Sequence, residues 1–183
     1  KQKPADYATF SNLYVYGAHF TPNYGVSGGT WNGNSGLNAT SNVNIASGTY
    51  GTGWATNTWN VISTMGDINV GNNVTLTGPG SQTNLDLRAL NDINIGGNCT
   101  IHPFRDFYAG NNITISPGFN IGNGNQTGPR FFSSNTISLF GATGVPSQIN
   151  TASFYAAKEI SLTTGWSDIT ISGESTLSSG ASN

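Results

Sequence analysis

A nine-residue pattern recurs seven times along this chain and restricts it to a stacked β architecture. It reads bulky, any, small, any, any, polar, then apolar-polar-apolar. The apolar pairs are Leu13/Val15, Val43/Ile45, Ile68/Val70, Ile93/Ile95, Ile113/Ile115, Ile137/Leu139 and Ile160/Leu162. Six positions before each pair stands a bulky residue: Tyr7, Leu37, Ile62, Leu87, Phe107, Phe131 and Phe154. Four positions before stands a small one, among them Ala39, Ala89, Ala109, Ser133 and Ala156, with Thr9 and Thr64 in the other two repeats. Successive pairs are 30, 25, 25, 20, 24 and 23 residues apart. Period-two alternation inside a period of a few tens of residues marks a solenoid of short strands, in which each repeat buries its apolar face only by stacking on its neighbours.

The sequence between pairs predicts how a coil closes. Gly71-Asn72-Asn73 follows the third pair and leads into a second alternating stretch, Val74/Leu76. The same arrangement gives Cys99/Ile101, Phe119/Ile121 and Ile169/Ile171. Gly and Asn tolerate the left-handed backbone that a sharp bend requires. The bulky and small residues upstream supply a third face. The polar residues ahead of the pairs, Asn42, Asp67, Asp92 and Asn112 among them, would stand above one another at the strand spacing of about 4.8 Å and hydrogen-bond along the stack. The expected fold is therefore all-β: a single-stranded parallel β-helix (β-solenoid) of about seven coils, 20–30 residues each, forming one domain over residues 1–183. Residues 1–36 are expected to include an N-terminal cap and 178–183 a flexible tail, and the whole reads as a fragment of a longer exported protein. The longest excursions fall at 17–36, 49–60, 121–130 and 140–151. Outward slots such as Asn94 should tolerate replacement by Ser at little cost.

Composition narrows the chemistry. Asn, Thr, Ser and Gly make up about half of the 183 residues, with only six basic and eight acidic side chains and a formal charge of −2. Charge is far below the usual quarter of a globular chain, yet the apolar residues are periodic, so the chain reads as ordered rather than disordered. Catalysis on a β-helix would need clustered acids and bases. Here only Asp67 and Asp92 share a slot in adjacent coils, where they either hold a cation or replace Asn at the corner. His19 and His102 lack neighbouring Cys or His partners, which argues against zinc. Cys99 sits in an apolar slot and reads as a buried thiol. The Asn-x-Ser/Thr triplets, at Asn73 and Asn98 for example, arise from the repeat itself. No catalytic residue, cofactor or metal ligand is assigned. Two sets of side chains remain as candidate ligand contacts. Arg88, Arg105, Arg130 and Lys158 form a sparse basic stripe near the third face, interrupted by Asp86 and Asp106. Trp31 and Trp54, with Trp59, Trp166, Tyr24 and Tyr50, lie in or near Gly/Asn-rich loops, where they serve either as loop anchors or as stacking platforms.

The coil at 67–78 resembles those of bacterial secreted β-solenoids. The run Pro4-Ala5-Asp6-Tyr7-Ala8-Thr9-Phe10-Ser11-Asn12 resembles the segment that leaves the N-terminal helix of large minor pilins of the type IV pilus, competence pilins included. That resemblance implies an extracellular domain displayed on a pilus and possible contact with DNA. The resulting expectation is a non-enzymatic display or adhesion domain at the cell surface. Its partners would be a pilus or cell-surface assembly and a glycan or protein surface, with weak contact to DNA and no membrane contact by this fragment. A carbohydrate-active β-helix enzyme and a structural filament subunit are the alternatives.

Overall fold

A computed structural model of the chain describes residues 13–15, 37–39, 42–50, 59–63, 66–76, 85–102, 105–122 and 128–180. Strand β1 (Leu13–Val15) is followed by coils of three strands each. These are β2 (Leu37–Ala39), β3 (Val43–Ile45) and β4 (Gly48–Tyr50); then β5 (Trp59–Ser63), β6 (Ile68–Val70) and β7 (Val74–Leu76); then β8 (Leu85–Ala89), β9 (Ile93–Ile95) and β10 (Thr100–Ile101). Next come β11 (Arg105–Ala109), β12 (Ile113–Ile115) and β13 (Asn120–Ile121); β14 (Arg130–Ser133), β15 (Thr136–Phe140) and β16 (Ser147–Asn150); and β17 (Ser153–Ala156), β18 (Glu159–Thr163) and β19 (Ile169–Ser172), before β20 (Thr176–Ser179). Among the described residues the strands form three parallel sheets: sheet I in the order β1-β3-β6-β9-β12-β15-β18, sheet II β4-β7-β10-β13-β16-β19, and sheet III β2-β5-β8-β11-β14-β17-β20. The fold is the β-solenoid that the repeat predicts.

The apolar pairs stack in register through sheet I, Ile68 on Ile93, Ile113, Ile137 and Ile160 in turn. Ile68, Ile93, Ile113 and Ile137 are fully buried, each contributing about 1.5–3 kcal/mol of apolar transfer. Sheet III adds Leu87, Phe107, Phe131 and Phe154, and sheet II adds Val74, Cys99, Ile101, Phe119 and Ile121. Phe131 stacks on Phe107 at 4.5 Å and on Phe154 at 4.6 Å between ring centroids. Parallel sheets are usually covered on both faces. Here one face of each is the rod's exterior, which is why the strands alternate instead of running continuously apolar.

Side-chain ladders hold that exterior. The Asp67 amide donates to Asn42 Oδ1 (2.8 Å), the Asp92 amide to Asp67 Oδ1 (3.2 Å) and the Asn112 amide to Asp92 Oδ1 (2.9 Å). One slot further, Asn69 Nδ2 donates to Asn44 Oδ1 (3.0 Å) and Asn94 Nδ2 to Asn69 Oδ1 (2.9 Å). At the corner into sheet II, Asn73 (φ 55°), Asn98 (φ 56°) and Gly118 (φ 80°) occupy one position in three successive coils. All are left-handed, the conformation that Asn and Gly adopt at least cost.

Several expectations shift. In the coil of β5 the residue in register with Leu37 and Leu87 is Val61, not Ile62, and the small slot is Ser63, not Thr64. The reason is spacing: Ser63 lies five residues before Ile68, whereas Ala89 lies four before Ile93. The stretch 140–151 is not a plain excursion, since it contains β16, whose Ser147 and Ile149 are buried in register with Ile169 and Ile171. Ser147 escaped the apolar pattern because it is polar; its hydroxyl accepts the Gly118 amide at 2.9 Å. The expected tail begins too early. Ser178 and Ser179 pair with Tyr155 and Ala156 in β20, because ladder hydrogen bonds are made by backbone irrespective of a Ser/Gly-rich composition. Of the expected cap at 1–36, only β1 lies within the described residues, where it pairs with β3 in sheet I.

Candidate functional site

The residues that follow the buried bulky slot of sheet III point outward, and in successive coils they are Arg88, Tyr108, Phe132, Tyr155 and Ser178. In-register stacking aligns them along the rod. Tyr108 and Phe132 are parallel within 7° with centroids 4.9 Å apart; Phe132 and Tyr155 are within 11° at 5.1 Å. The Arg88 guanidinium lies over the Tyr108 end of this stack, 4.5 Å from the ring centroid, an arrangement favoured by the ring quadrupole.

A parallel row of charge flanks the rings. Asp106 accepts from Arg130 Nε at 2.8 Å and also from Arg130 Nη2, and the Tyr108 hydroxyl donates to its Oδ2 at 3.2 Å. The Arg130 side chain remains 48% exposed and Asp106 16%, so the pair orients side chains more than it stabilises the fold. On the other flank, at the corner into sheet I, the chain is small: Gly110, Ser134, Ala157 and Gly180 succeed one another, each amide bonded to the coil before. Gly110 cannot be replaced freely, as a Cβ there would lie 2.0 Å from the Leu90 carbonyl oxygen. Rings on one side and small residues on the other bound an open groove of about 570 Å³ running along the rod. Among the described residues its walls carry a single charged side chain, Arg88.

The basic stripe expected from the sequence is only partly assembled. Arg88 and Arg130 share the outer face of sheet III, but Arg105 falls in register with Leu85, one position before the Arg130 slot and three before the Arg88 slot. Its spacing ahead of the next apolar pair misled because it starts its strand. Lys158 is exposed at the corner into sheet I, where its amide donates to the Asn135 carbonyl at 2.9 Å. Trp31, Trp54, Tyr24 and His19 lie outside the described residues. Trp59 opens β5, and Tyr50 closes β4. Trp166 is 67% exposed in a single 3-10 turn between sheets I and II, away from the groove. The aromatic ladder itself was not anticipated. Its signal was present in the doublets Phe107-Tyr108, Phe131-Phe132 and Phe154-Tyr155: the first ring of each fills the core, and the second must face out.

Within the described residues His102 Nδ1 and Thr163 Oγ1 are buried without a hydrogen-bond partner, whereas several other polar groups have local ones. Asp67 and Asp92 serve as corner acceptors, the role Asn plays in neighbouring coils. Asp168 Oδ2 accepts the Gly144 amide at 3.1 Å. Among the described residues no group of three or more His, Cys, Asp and Glu side chains converges. Cys99 is buried between the Val74 and Phe119 slots; burial raises its thiol above the ordinary value of 9.0, partly offset by a hydrogen bond from the Val74 backbone. Comparison with known proteins finds no matching family model, no similar curated protein and no similar solved structure.

Proposed function

We propose that this chain is a non-enzymatic display or adhesion domain, held outside the cell on a type IV pilus, that meets its target through the outer face of sheet III. The observation that carries the reading is the ladder of Tyr108, Phe132 and Tyr155 on the outer face of sheet III, whereas the outward slots of sheet I carry Asn44, Asn69, Asn94, Thr114, Ser138 and Ser161. Hydrogen-bonded Asn ladders already close the exterior of sheet I, so aromatic rings are not needed to finish a coil. Rigid, half-exposed rings beside a groove are the usual means of gripping a surface at low entropic cost. The pilus setting draws on the 4–12 run and its likeness to large minor pilins; those residues lie outside the described ones.

The test is capture on beads carrying the intact protein. Wild-type protein is expected to retain bacterial or host cell surfaces, and the triple substitution Tyr108→Ser, Phe132→Thr, Tyr155→Ser to release them while keeping its β-rich circular dichroism. Retention by a folded triple variant overturns the assignment of sheet III. Contact with DNA is the weaker option, since the Arg130 charge is answered by Asp106 and the Arg88 guanidinium is laid on Tyr108. Low-salt anisotropy titration should give Kd values in the micromolar range or poorer, with Kd rising as salt is added. The filament-subunit alternative draws on the last described coil, where Leu162, Ile171 and Leu177 are 40%, 41% and 37% exposed. Concentration-dependent sedimentation would favour it, and a monomer at all concentrations would exclude it.

A further inference from the structure

We infer that the groove on sheet III is a subsite for a neutral glycan, with one saccharide ring stacked on the face of Tyr155 that Ser178 leaves uncovered. This rests on the reading of sheet III as the contact surface and names what that surface takes.

The two ends of the ring stack differ. At Tyr108 the stack is closed by the flat Arg88 guanidinium. At Tyr155 the next register position is Ser178, an exposed residue whose side chain is too short to cover a ring. Among the described residues Tyr155 stacks on Phe132 alone, and it is 37% exposed. The groove continues past it, floored by Ala157 and Gly180, so a flat group resting on Tyr155 meets methyl and backbone surface below and the Ser178 hydroxyl beside it.

The lining selects the class of that group. Among the described residues it contains no carboxylate, so a cationic ligand finds no counter-charge in its walls. Its one cation, Arg88, stands at the opposite end with its guanidinium on Tyr108, so a polyanion gains little. What remains is aromatic face, methyl groups, and the hydroxyls of Ser134, Ser178 and Tyr155. A saccharide presents the complement, with C–H bonds on one face and hydroxyls around the rim. Repetition strengthens the match. Coils advance by about 4.8 Å along the rod, close to the advance of one residue in an extended glycan, so each sugar would meet one coil and the contacts would repeat along the groove.

The decisive substitution is Ser178→Tyr, which extends the ladder by one ring and occupies the proposed stacking face while leaving Tyr108, Phe132, Tyr155, Ala157 and Gly180 in place. Amide-resolved NMR titration of the whole protein with neutral hexasaccharides, β-1,4-linked glucose, β-1,4-linked N-acetylglucosamine and α-1,4-linked glucose, is expected to shift residues 155, 157, 178 and 180 for at least one of them. Ser178→Tyr should leave the melting temperature equal or higher and weaken that binding about tenfold or more, the loss of one stacked ring. Unchanged binding in Ser178→Tyr overturns the inference, as does silence toward all three sugars. Shifts produced only by an oligonucleotide or an acidic polysaccharide, and abolished by salt, overturn the neutral-glycan assignment while leaving sheet III as the contact face. Failure of the bead-capture experiment with the ladder intact would instead remove the adhesion reading itself.

Discussion

At the scale of single residues, two chemistries stack in adjacent columns of sheet I, one inward and one outward, and differ in what their loss costs. Ile113 is fully enclosed between Ile93 and Ile137. Ile113→Asn is expected to cost about 3–5 kcal/mol, because it leaves a packing void and buries an amide with nothing to bond. Asn94 is an outward residue, yet its amide is a rung on Asn69. Ser cannot reach that acceptor, so Asn94→Ser should cost about 0.5–1.5 kcal/mol rather than the negligible amount expected of an outward slot. Urea titrations of the two variants check the ordering; equal midpoints would mean that the inward column is not the main source of stability. Cys99 offers a pH-dependent readout. Its thiol is raised above 9.0 in the folded chain by burial, so both states are neutral below that value and the thiol adds no pH dependence there. Above 9.0 the unfolded thiol ionises first, and stability should fall as pH rises. Cys99→Ala should remove that alkaline slope, and native Cys99 should react with alkylating reagents only at the rate of opening.

At the scale of the element, the strands are too short to hold themselves, and corners decide where each begins. Asn73, Asn98 and Gly118 share a left-handed corner that swings the chain from sheet I into sheet II. The cost of the left-handed region is about 1–2 kcal/mol for a residue with an ordinary Cβ, and a β-branched side chain is worse. Asn98→Val should therefore destabilise by at least that amount, whereas Asn98→Gly should stay close to wild type in thermal unfolding. A harmless Asn98→Val would show that the corner is not what sets the strand phase. The same logic explains why β16 was hidden. Its corner carries Gly144 at φ 76° and a short bridge from Ala142 to Val145, and its first inward residue is Ser147, so neither the corner composition nor the apolar pair repeats.

For the whole molecule, a solenoid is stabilised between neighbours, and position along the rod should control local stability. The coils of β9, β12 and β15 have buried columns on both sides. At β18, β19 and β20 the inward residues Leu162, Ile171 and Leu177 are partly exposed. Hydrogen exchange should thus be slowest at Ile93, Ile113 and Ile137 and grade toward faster exchange at Ile171 and Leu177. Uniform protection would point instead to a rod that opens only as a unit. The groove inherits this gradient: its Tyr108 end lies over the protected coils, and its Tyr155–Ser178 end over the more exposed one.

The repeat alone determined the class of fold, the phase of sheet I and which residues fill most of the core, because period-two alternation and a polar corner are local statements about one coil. It also determined that Asp67 and Asp92 could act as Asn equivalents. What it left open were quantities that belong to pairs of coils. A single added residue before Ile68 moved Val61 into the slot that spacing assigned to Ile62, and only pairing with Leu37 and Leu87 resolves that shift. Arg105 looked like a member of the stripe by its distance from the next pair, but register places it out of phase with Arg88 and Arg130. The ring ladder is the clearest case. Tyr108, Phe132 and Tyr155 are 24 and 23 residues apart in the chain and become neighbours only because parallel stacking in register brings successive coils together. Alternation within one strand can say that such a residue faces out, but the groove beside it exists only when the five successive strands β8, β11, β14, β17 and β20 are stacked.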